Sequence, residues 1–192
     1  MDSNISKSKL MELVSKVISN SDEVKIATLS DELTISQVVK FFEKQGKTFT
    51  KTMIQNYVRV GVLPPPIGKR YYTRDHLVLL TLIDSLKNAY SLEEIKIILG
   101  PIRNNPDIFE DDMIKTMDIY KGYLEMRKEA LARWEDSVPK LFDRVEKLVD
   151  EEGVRKEDKK AATQFMIVLT VMAESIAMKD LVNEVIKEYY SK

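Results

Sequence analysis

The chain of 192 residues contains no cysteine and a single histidine, His76. Without cysteine there are no disulfides and no thiolate metal ligands, and one histidine cannot build a transition-metal site. The sequence also lacks a GxSxG nucleophile elbow, a phosphate-binding loop, a dinucleotide-binding glycine pattern and an HExxH motif. We therefore expect no catalytic activity, no metal and no other cofactor.

Glycine and proline are also scarce, at six residues each, while 44% of the residues are hydrophobic. This balance predicts a globular, mostly α-helical protein with a real core. No basic and then apolar leader opens the sequence, and the most apolar stretch, residues 161–178, includes Thr, Gln and Glu. We expect a cytoplasmic protein with no membrane contact, and a buried core helix at 161–178.

Positive charge is concentrated in one part of the chain. The net charge is −1, yet residues 34–99 contain ten Lys and Arg against five Asp and Glu. Residues 47–74 contain no acidic residue, and a concentrated positive surface suits a polyanion. The basic residues of this stretch are Lys47, Lys51, Arg59, Lys69, Arg70 and Arg74.

Residues 50–60 have the two faces of a recognition helix. At 100° per residue Ile54 and Tyr57 lie on an apolar arc, and the polar residues lie opposite. Asn and Gln pair with adenine edges, and Arg pairs with guanine or binds phosphate. An ordinary solvated helix face is the alternative. The polar arc consists of Lys51, Thr52, Gln55, Asn56 and Arg59.

A second short helix precedes this one. Thr34 and Gln37 form a capping-box pattern at its start, Gly46 follows as a stop signal, and Thr50 can cap the next helix. Two short helices joined by a tight turn predict a helix-turn-helix.

A basic wing is expected after the recognition helix. Residues 64–66 are three prolines, which favour an extended backbone, and Gly68 permits a tight turn. A return strand with positive and aromatic side chains suits contact with the DNA backbone, although both tyrosines can instead be core residues. This strand is predicted at Lys69, Arg70, Tyr71 and Tyr72, of which the first three are candidate DNA contacts.

The order of these residues resembles the winged helix-turn-helix domain of MerR-type transcription regulators. More narrowly, TKTMIxNY followed by LPPP and KxYY looks like an uncharacterised bacterial family, domain of unknown function 1836. MerR proteins usually carry Arg-Tyr-Tyr-Glu where this chain has Gln55-Asn56-Tyr57-Val58, so no site preference is carried over. The matching residues are Ile54, Tyr57, Arg59, Gly61, Leu63, Pro65, Gly68, Arg70, Tyr72, Thr73, Leu77 and Ser91-Leu-Glu-Glu-Ile95.

The rest of the chain is expected to be helical, with a domain boundary at residues 103–107. Residues 110–134 carry apolar side chains at alternating spacings of three and four, and helices are also predicted at 136–152 and 156–189. The last is apolar nearly all round from 165 to 173, which predicts burial in a bundle. The resemblance implies a long dimerisation helix at 110–134; packing within the chain is the alternative. Its stripe consists of Met113, Met117, Tyr120, Leu124, Leu131 and Trp134.

The sequence thus predicts an all-α protein with a small β wing. An N-terminal helix and connector (1–33) precede a winged helix-turn-helix domain (34–100) and an all-α dimerisation or effector domain (107–192). The expected function is a transcription regulator that binds double-stranded DNA as a homodimer. Any effector is expected to be apolar and to contact residues 165–176. The alternative is a non-catalytic interaction module, an antirepressor or adaptor, on the same fold.

Overall fold

The computed structural model describes residues 6–19, 26, 29–103, 105 and 107–190. Within them the chain is mostly helical, as predicted, and the only β structure consists of two isolated bridges, Leu33 with Tyr72 and Ile67 with Tyr71. The α-helices are α1 (Lys7–Ser19), α2 (Ile35–Lys44), α3 (Lys51–Arg59), α4 (Arg74–Leu86), α5 (Leu92–Leu99), α6 (Thr116–Glu151) and α7 (Lys159–Tyr189).

The chain forms two compact units. The first comprises the described residues of Met1–Asp22 and Glu125–Lys187, and the second those of Glu23–Leu124 and Glu188–Lys192. These limits do not coincide with the predicted boundaries at 33/34 and 100/107. The predicted N-terminal helix and connector, residues 1–33, lie partly outside the described residues.

Local signals place the short helices of the second unit. The Thr34 backbone N–H donates to Oε1 of Gln37 at 2.8 Å, and Oγ1 of Thr50 accepts from the Met53 N–H at 3.1 Å. Ser91 and Glu94 form a third such pair at the start of α5. Each cap satisfies a backbone donor that the first turn leaves open, which stabilises a helix by about 1 kcal/mol. The helix starts predicted at Thr34 and Thr50 are therefore confirmed.

Helix α4 forms the centre of the second unit. Eight consecutive residues, His76–Ile83, are buried, so the helix is covered on all sides. Phe42 of α2 and Ile54 of α3 are fully buried in the same core. Full burial of side chains of this size contributes about 1.5–3 kcal/mol each. The apolar faces of α2 and α3 are thus fixed against α4, and their polar faces point outward.

The segment after α5 closes over one side of this core. The Phe109 ring lies 4.8 Å from the His76 ring, and the Arg103 guanidinium lies 4.9 Å from the Phe109 ring. Nε of Arg103 is 3.3 Å from Oδ1 of Asp112, and both side chains are buried. These two atoms lack the geometry of a hydrogen bond, so charge attraction holds the pair. Burial raises the pKa of Asp112 despite this neighbour.

Helix α6, which belongs to the second unit up to Leu124 and to the first from Glu125, differs from the prediction. The helices expected at 110–134 and 136–152 are one continuous helix that begins at Thr116, with Pro139 in its interior. An interior proline removes one helical hydrogen bond and costs about 3 kcal/mol. Burial of Val138 and Phe142 on either side of Pro139 offsets that cost.

The exposure of α7 also corrects the prediction. Only Thr163 and Ile167 of this helix are buried, and every residue from 171 to 185 is exposed. Phe142, Val145 and Val149 of α6 pack with Ile167, and this contact covers a single stripe of α7. The expectation that residues 165–173 are buried on several sides is therefore wrong. No helix among the described residues meets the length and hydropathy needed to cross a membrane.

Candidate nucleic-acid interface

Helix α3 separates an inner apolar face from an outer polar face, as its sequence predicts. Ile54 and Tyr57 are buried. Asn56 is half-buried, and its Oδ1 accepts a hydrogen bond of 2.6 Å from Nη2 of Arg59. The side-chain oxygen of Asn56 is therefore already hydrogen-bonded to a residue of the same helix. The outer residues exposed to solvent are Lys51, Thr52, Gln55 and Arg59.

The turn after α3 is tighter than the predicted return strand. Ile67 and Tyr71 exchange backbone hydrogen bonds of 2.8 and 3.0 Å, and Gly68 and Lys69 have φ of 57° and 60°. The Arg70 N–H also donates to the Ile67 carbonyl at 3.1 Å, so Gly68 and Lys69 are the central residues of a four-residue turn, and positive φ at both is the requirement of a type I′ turn. Lys69 and Arg70 therefore belong to the turn, and of the four residues in the predicted strand only Tyr71 and Tyr72 take part in bridges. We call residues 67–71 the basic turn.

The two tyrosines differ in exposure. Tyr72 is buried, and burial raises the pKa of its phenol. Tyr71 is half-buried, and the guanidinium of Arg70 lies 5.1 Å from the centre of its ring. Tyr72 is thus a core residue, which was the alternative for both tyrosines. Tyr71 is only half-buried and lies beside the exposed Arg70.

His76 ties the proline segment to α4. Its Nδ1 accepts from the Thr73 backbone N–H at 3.0 Å, and its Nε2 lies 3.3 Å from the Pro65 carbonyl oxygen. Burial lowers the pKa of His76 to about 4, so the ring is neutral at physiological pH. The ring packs edge-on to Tyr72, with centroids 5.2 Å apart. These contacts hold both ends of the segment that carries the basic turn.

The fold brings α3 and the basic turn to one surface. Gln55 of α3 and Lys69 and Arg70 of the turn line the same shallow depression of about 240 Å³. Its floor is apolar, with Ile35, Val58, Pro66 and Tyr72. The pattern of charge along the sequence predicts the polar residues of this depression but not the residues of its apolar floor.

Two of the six cations counted in the sequence are paired with acids from elsewhere in the chain. Nζ of Lys47 lies 2.9 Å from Asp84, and Arg74 makes a two-pronged contact with Asp31, at 3.0 and 2.6 Å. Hydrogen bonds from Arg74 hold the pKa of Asp31 below its ordinary value. The charge available to a polyanion is thus smaller than the sequence suggests.

Asp84 receives a second lysine. Nζ of Lys87 lies 2.7 Å from its Oδ1. Burial alone would raise the pKa of Asp84, but the hydrogen bonds and charges of Lys87 and Lys47 outweigh it and lower the pKa. These ion pairs stabilise the segment before α3 against α4.

Lys96 is a positioning residue that the sequence did not indicate. Its Nζ donates to the Val60 carbonyl at 3.1 Å, at the C-terminal end of α3. A cation at a helix C-terminus meets the negative end of the helix dipole. Residues 60 and 96 are too far apart in sequence for a helical or strand period to connect them.

The predicted dimerisation stripe is divided in the structure. Tyr120 is buried, and Met117 and Leu124 pack against the same core of the second unit. For these three residues the structure therefore agrees with the alternative, which is packing within the chain. Met113 is 68% exposed and lies before α6 begins, and Leu131 and Trp134 are half-buried.

A groove of about 680 Å³ runs between α6 and α7. Met166, Thr170 and Glu174 of the predicted effector segment line it, but most of its wall comes from α6. That wall includes Lys140, Arg144, Lys147 and Glu151, so the groove is more charged than an apolar effector requires. Among the described residues no group of three His, Asp or Glu side chains is placed to hold a metal ion.

These observations define a mostly α-helical protein whose short helices carry a basic surface made of α3 and the turn that follows it. The chain belongs to the family described as domain of unknown function (DUF1836), whose model matches residues 9–123. The matched range contains all eight candidate DNA contacts. No curated protein and no solved structure matches the chain.

Proposed function

We propose that the protein is a DNA-binding transcription regulator of MerR-like, winged helix-turn-helix type. In this proposal α3 enters the major groove, and the basic turn binds the adjacent sugar-phosphate backbone. The observation that carries it is the shared depression, in which Gln55 of α3 lies beside Lys69 and Arg70 of the turn. A base-reading amide next to two phosphate-binding cations has the composition of a DNA contact surface.

The charge distribution supports the same proposal. Lys51 and Arg59 are exposed on α3, and Lys69 and Arg70 are exposed on the basic turn. Neutralisation of phosphates by such residues releases counterions, so binding weakens steeply with salt. Binding as a homodimer would place two copies of this surface on two half-sites and raise the overall affinity.

The test measures binding of the full chain to duplex DNA by fluorescence anisotropy at several salt concentrations. The duplexes are fragments from upstream of its own gene and a random sequence of equal length. Lys69→Glu with Arg70→Glu is expected to abolish binding. Lys128→Glu with Lys140→Glu removes the same charge from exposed positions on α6 and is expected to retain it. No binding of wild type to any duplex at low salt would refute the proposal.

One observation favours a second function, a protein-interaction module such as an antirepressor or adaptor. Ile67, at the start of the basic turn, is 52% exposed beside the cations. An apolar side chain within a charged rim is a common composition for a protein docking site. This function predicts that Ile67→Ser disrupts partner binding and that duplex DNA shows no salt-dependent binding.

A further inference from the structure

Helix α7 exposes many large apolar side chains to solvent. Ten of its large apolar side chains between Phe165 and Val185 are 37–67% exposed, although the helix is well formed. A helix that is apolar on most sides is normally buried. No described residue of the chain covers these side chains, so we expect a binding partner to cover them.

Five of these ten side chains, together with the exposed Ser175, follow a heptad repeat. Their positions alternate in steps of three and four, which is the spacing of the contact line of a coiled coil. The pattern spans three repeats and places the small Ser175 near the middle of the helix. We call this set the α7 seam: Val168, Val171, Ser175, Met178, Val182 and Val185.

The seam lies beside the stripe that faces α6. Thr163 and Ile167 are the buried residues of that stripe. On a helical wheel of 100° per residue, the centre of these two residues and the centre of the exposed seam are about 70° apart. A helix in a bundle can contact two neighbours through adjacent stripes of this kind. The seam is therefore a second contact face of α7, next to the face that packs on α6, and Leu10 of α1 packs against the same α6–α7 core.

We propose that the α7 seam binds the α7 seam of a second copy of this chain in antiparallel orientation. With a twofold axis between Ile176 and Ala177, the small Ser175 meets the larger Met178 of the other copy. The next layers pair Val171 with Val182 and Val168 with Val185. A large residue opposite a small one at the centre, with pairs of β-branched residues on either side, fills the space between two helices evenly.

The charge on α7 selects the antiparallel orientation. From 159 to 173 the helix has two lysines and no acid, and from 174 to 189 it has four acids and two lysines. A parallel pair would place two acidic halves side by side. The antiparallel pair separates them and sets each acidic half against the half of the other copy that has no acid.

The exposed area is also of the right size for a homodimer. Phe165, Met172 and Leu181 flank the seam and are 53–62% exposed. With the apolar seam residues they present on the order of 400 Å² of apolar surface per chain, at roughly 60–120 Å² for each full side chain. A stable interface takes about 800 Å² from each partner, a little over half of it apolar. The proposal does not depend on DNA binding.

The first test is sedimentation equilibrium of the full chain without DNA. Wild type is expected to be a dimer of the 22.2 kDa chain at tens of micromolar. Val182→Glu is expected to raise the dimer dissociation constant roughly 100-fold or more, since each dimer would bury two unpaired carboxylates. Its circular dichroism should be unchanged, because Val182 is exposed in the single chain. Asn183→Glu, one residue outside the seam, should leave the dimer intact.

The second test fixes the orientation, using the absence of native cysteine. Val171→Cys and Val182→Cys are purified separately, mixed, allowed to exchange subunits and oxidised. A disulfide between chains is expected in the mixture and not in either variant alone. Linkage within each variant alone would show a parallel dimer and overturn the proposal. A monomeric wild type, a dimer insensitive to Val182→Glu, or a mixture that does not link would also overturn it.

Discussion

Nδ1 of His76 accepts a hydrogen bond from the backbone N–H of Thr73, so the ring proton resides on Nε2 and points at the carbonyl of Pro65. One neutral imidazole thus caps α4 and holds the proline segment before the basic turn. Protonation of Nδ1 would remove the acceptor on which the cap depends. The stability of the fold is therefore expected to be coupled to the protonation of His76.

The first prediction concerns this coupling. The folded-state pKa of His76 is about 4 against an ordinary 6.5. The neutral ring stabilises the fold above pH 6.5, and this contribution is lost as pH falls towards 4, because only the unfolded chain then takes up the proton. The loss is roughly 3 kcal/mol when complete.

Chemical denaturation of wild type and His76→Gln across pH 4–7 measures this loss. Glutamine at the same helix position keeps an acceptor for the Thr73 N–H and a donor for Pro65 but does not titrate. Asp75 and Asp112, whose pKa values burial raises, are present in both proteins, so the difference isolates His76. Equal pH dependence in the two proteins would contradict the prediction.

The second prediction separates base reading from phosphate binding. Gln55→Ala is expected to cost about 1–3 kcal/mol of binding free energy on the preferred site and little on random DNA. Lys69→Asn is expected to weaken both and to lower the log-log salt slope by about one unit. Asparagine is chosen because it tolerates the positive φ of Lys69, so the turn is kept while the charge is lost.

Arg59 and Asn56 complete that comparison. Arg59 lies at the C-terminal end of α3, so Arg59→Ala is expected to behave like the loss of a phosphate contact. Because Asn56 accepts from Arg59, Asn56→Ala and Arg59→Ala should be non-additive in a double-mutant cycle. Unchanged affinity and salt slope in all four variants would make the polar arc an ordinary solvated surface.

The third prediction tests the paired lysine. Lys47 is held by Asp84, so Lys47→Met is expected to leave the salt slope of DNA binding unchanged. It should lower the free energy of unfolding by about 1 kcal/mol, because the partly buried carboxylate of Asp84 is then paired with Lys87 alone. Anisotropy and urea denaturation measure the two effects. A salt slope reduced as much as in Lys69→Asn would mean that Lys47 contacts phosphate.

The fourth prediction compares two methionines of the predicted dimerisation stripe. Met117 packs against the core of the second unit, whereas Met113 is 68% exposed. Met117→Glu is expected to lower the free energy of unfolding by about 2–4 kcal/mol, because it places an unpaired carboxylate against apolar side chains. Met113→Glu, the matched control, should change it by less than about 0.5 kcal/mol. Thermal denaturation of the two variants measures both changes. If Met117→Glu instead stays folded and is monomeric, that result would support dimerisation through the predicted stripe.

The sequence by itself determined the features that depend on neighbours along the chain. The starts of α2, α3, α4 and α5 follow from caps at Thr34, Thr50, Thr73 and Ser91, each satisfied within three residues. The inner and outer faces of α3 follow from the helical period. Because these hydrogen bonds and periods are local, a linear pattern is enough to predict them.

Only the tertiary structure decided which side chains remain available. Lys47 and Asp84 are 37 residues apart and Arg74 and Asp31 are 43, so no local pattern shows that these cations are paired. Burial likewise depends on what packs from elsewhere in the chain. Tyr120 had the spacing of a dimer contact and lies in its own core, while α7 had the composition of a buried helix and is exposed. Hydrophobic spacing requires that a face be covered, and the tertiary fold decides whether the cover comes from the same chain.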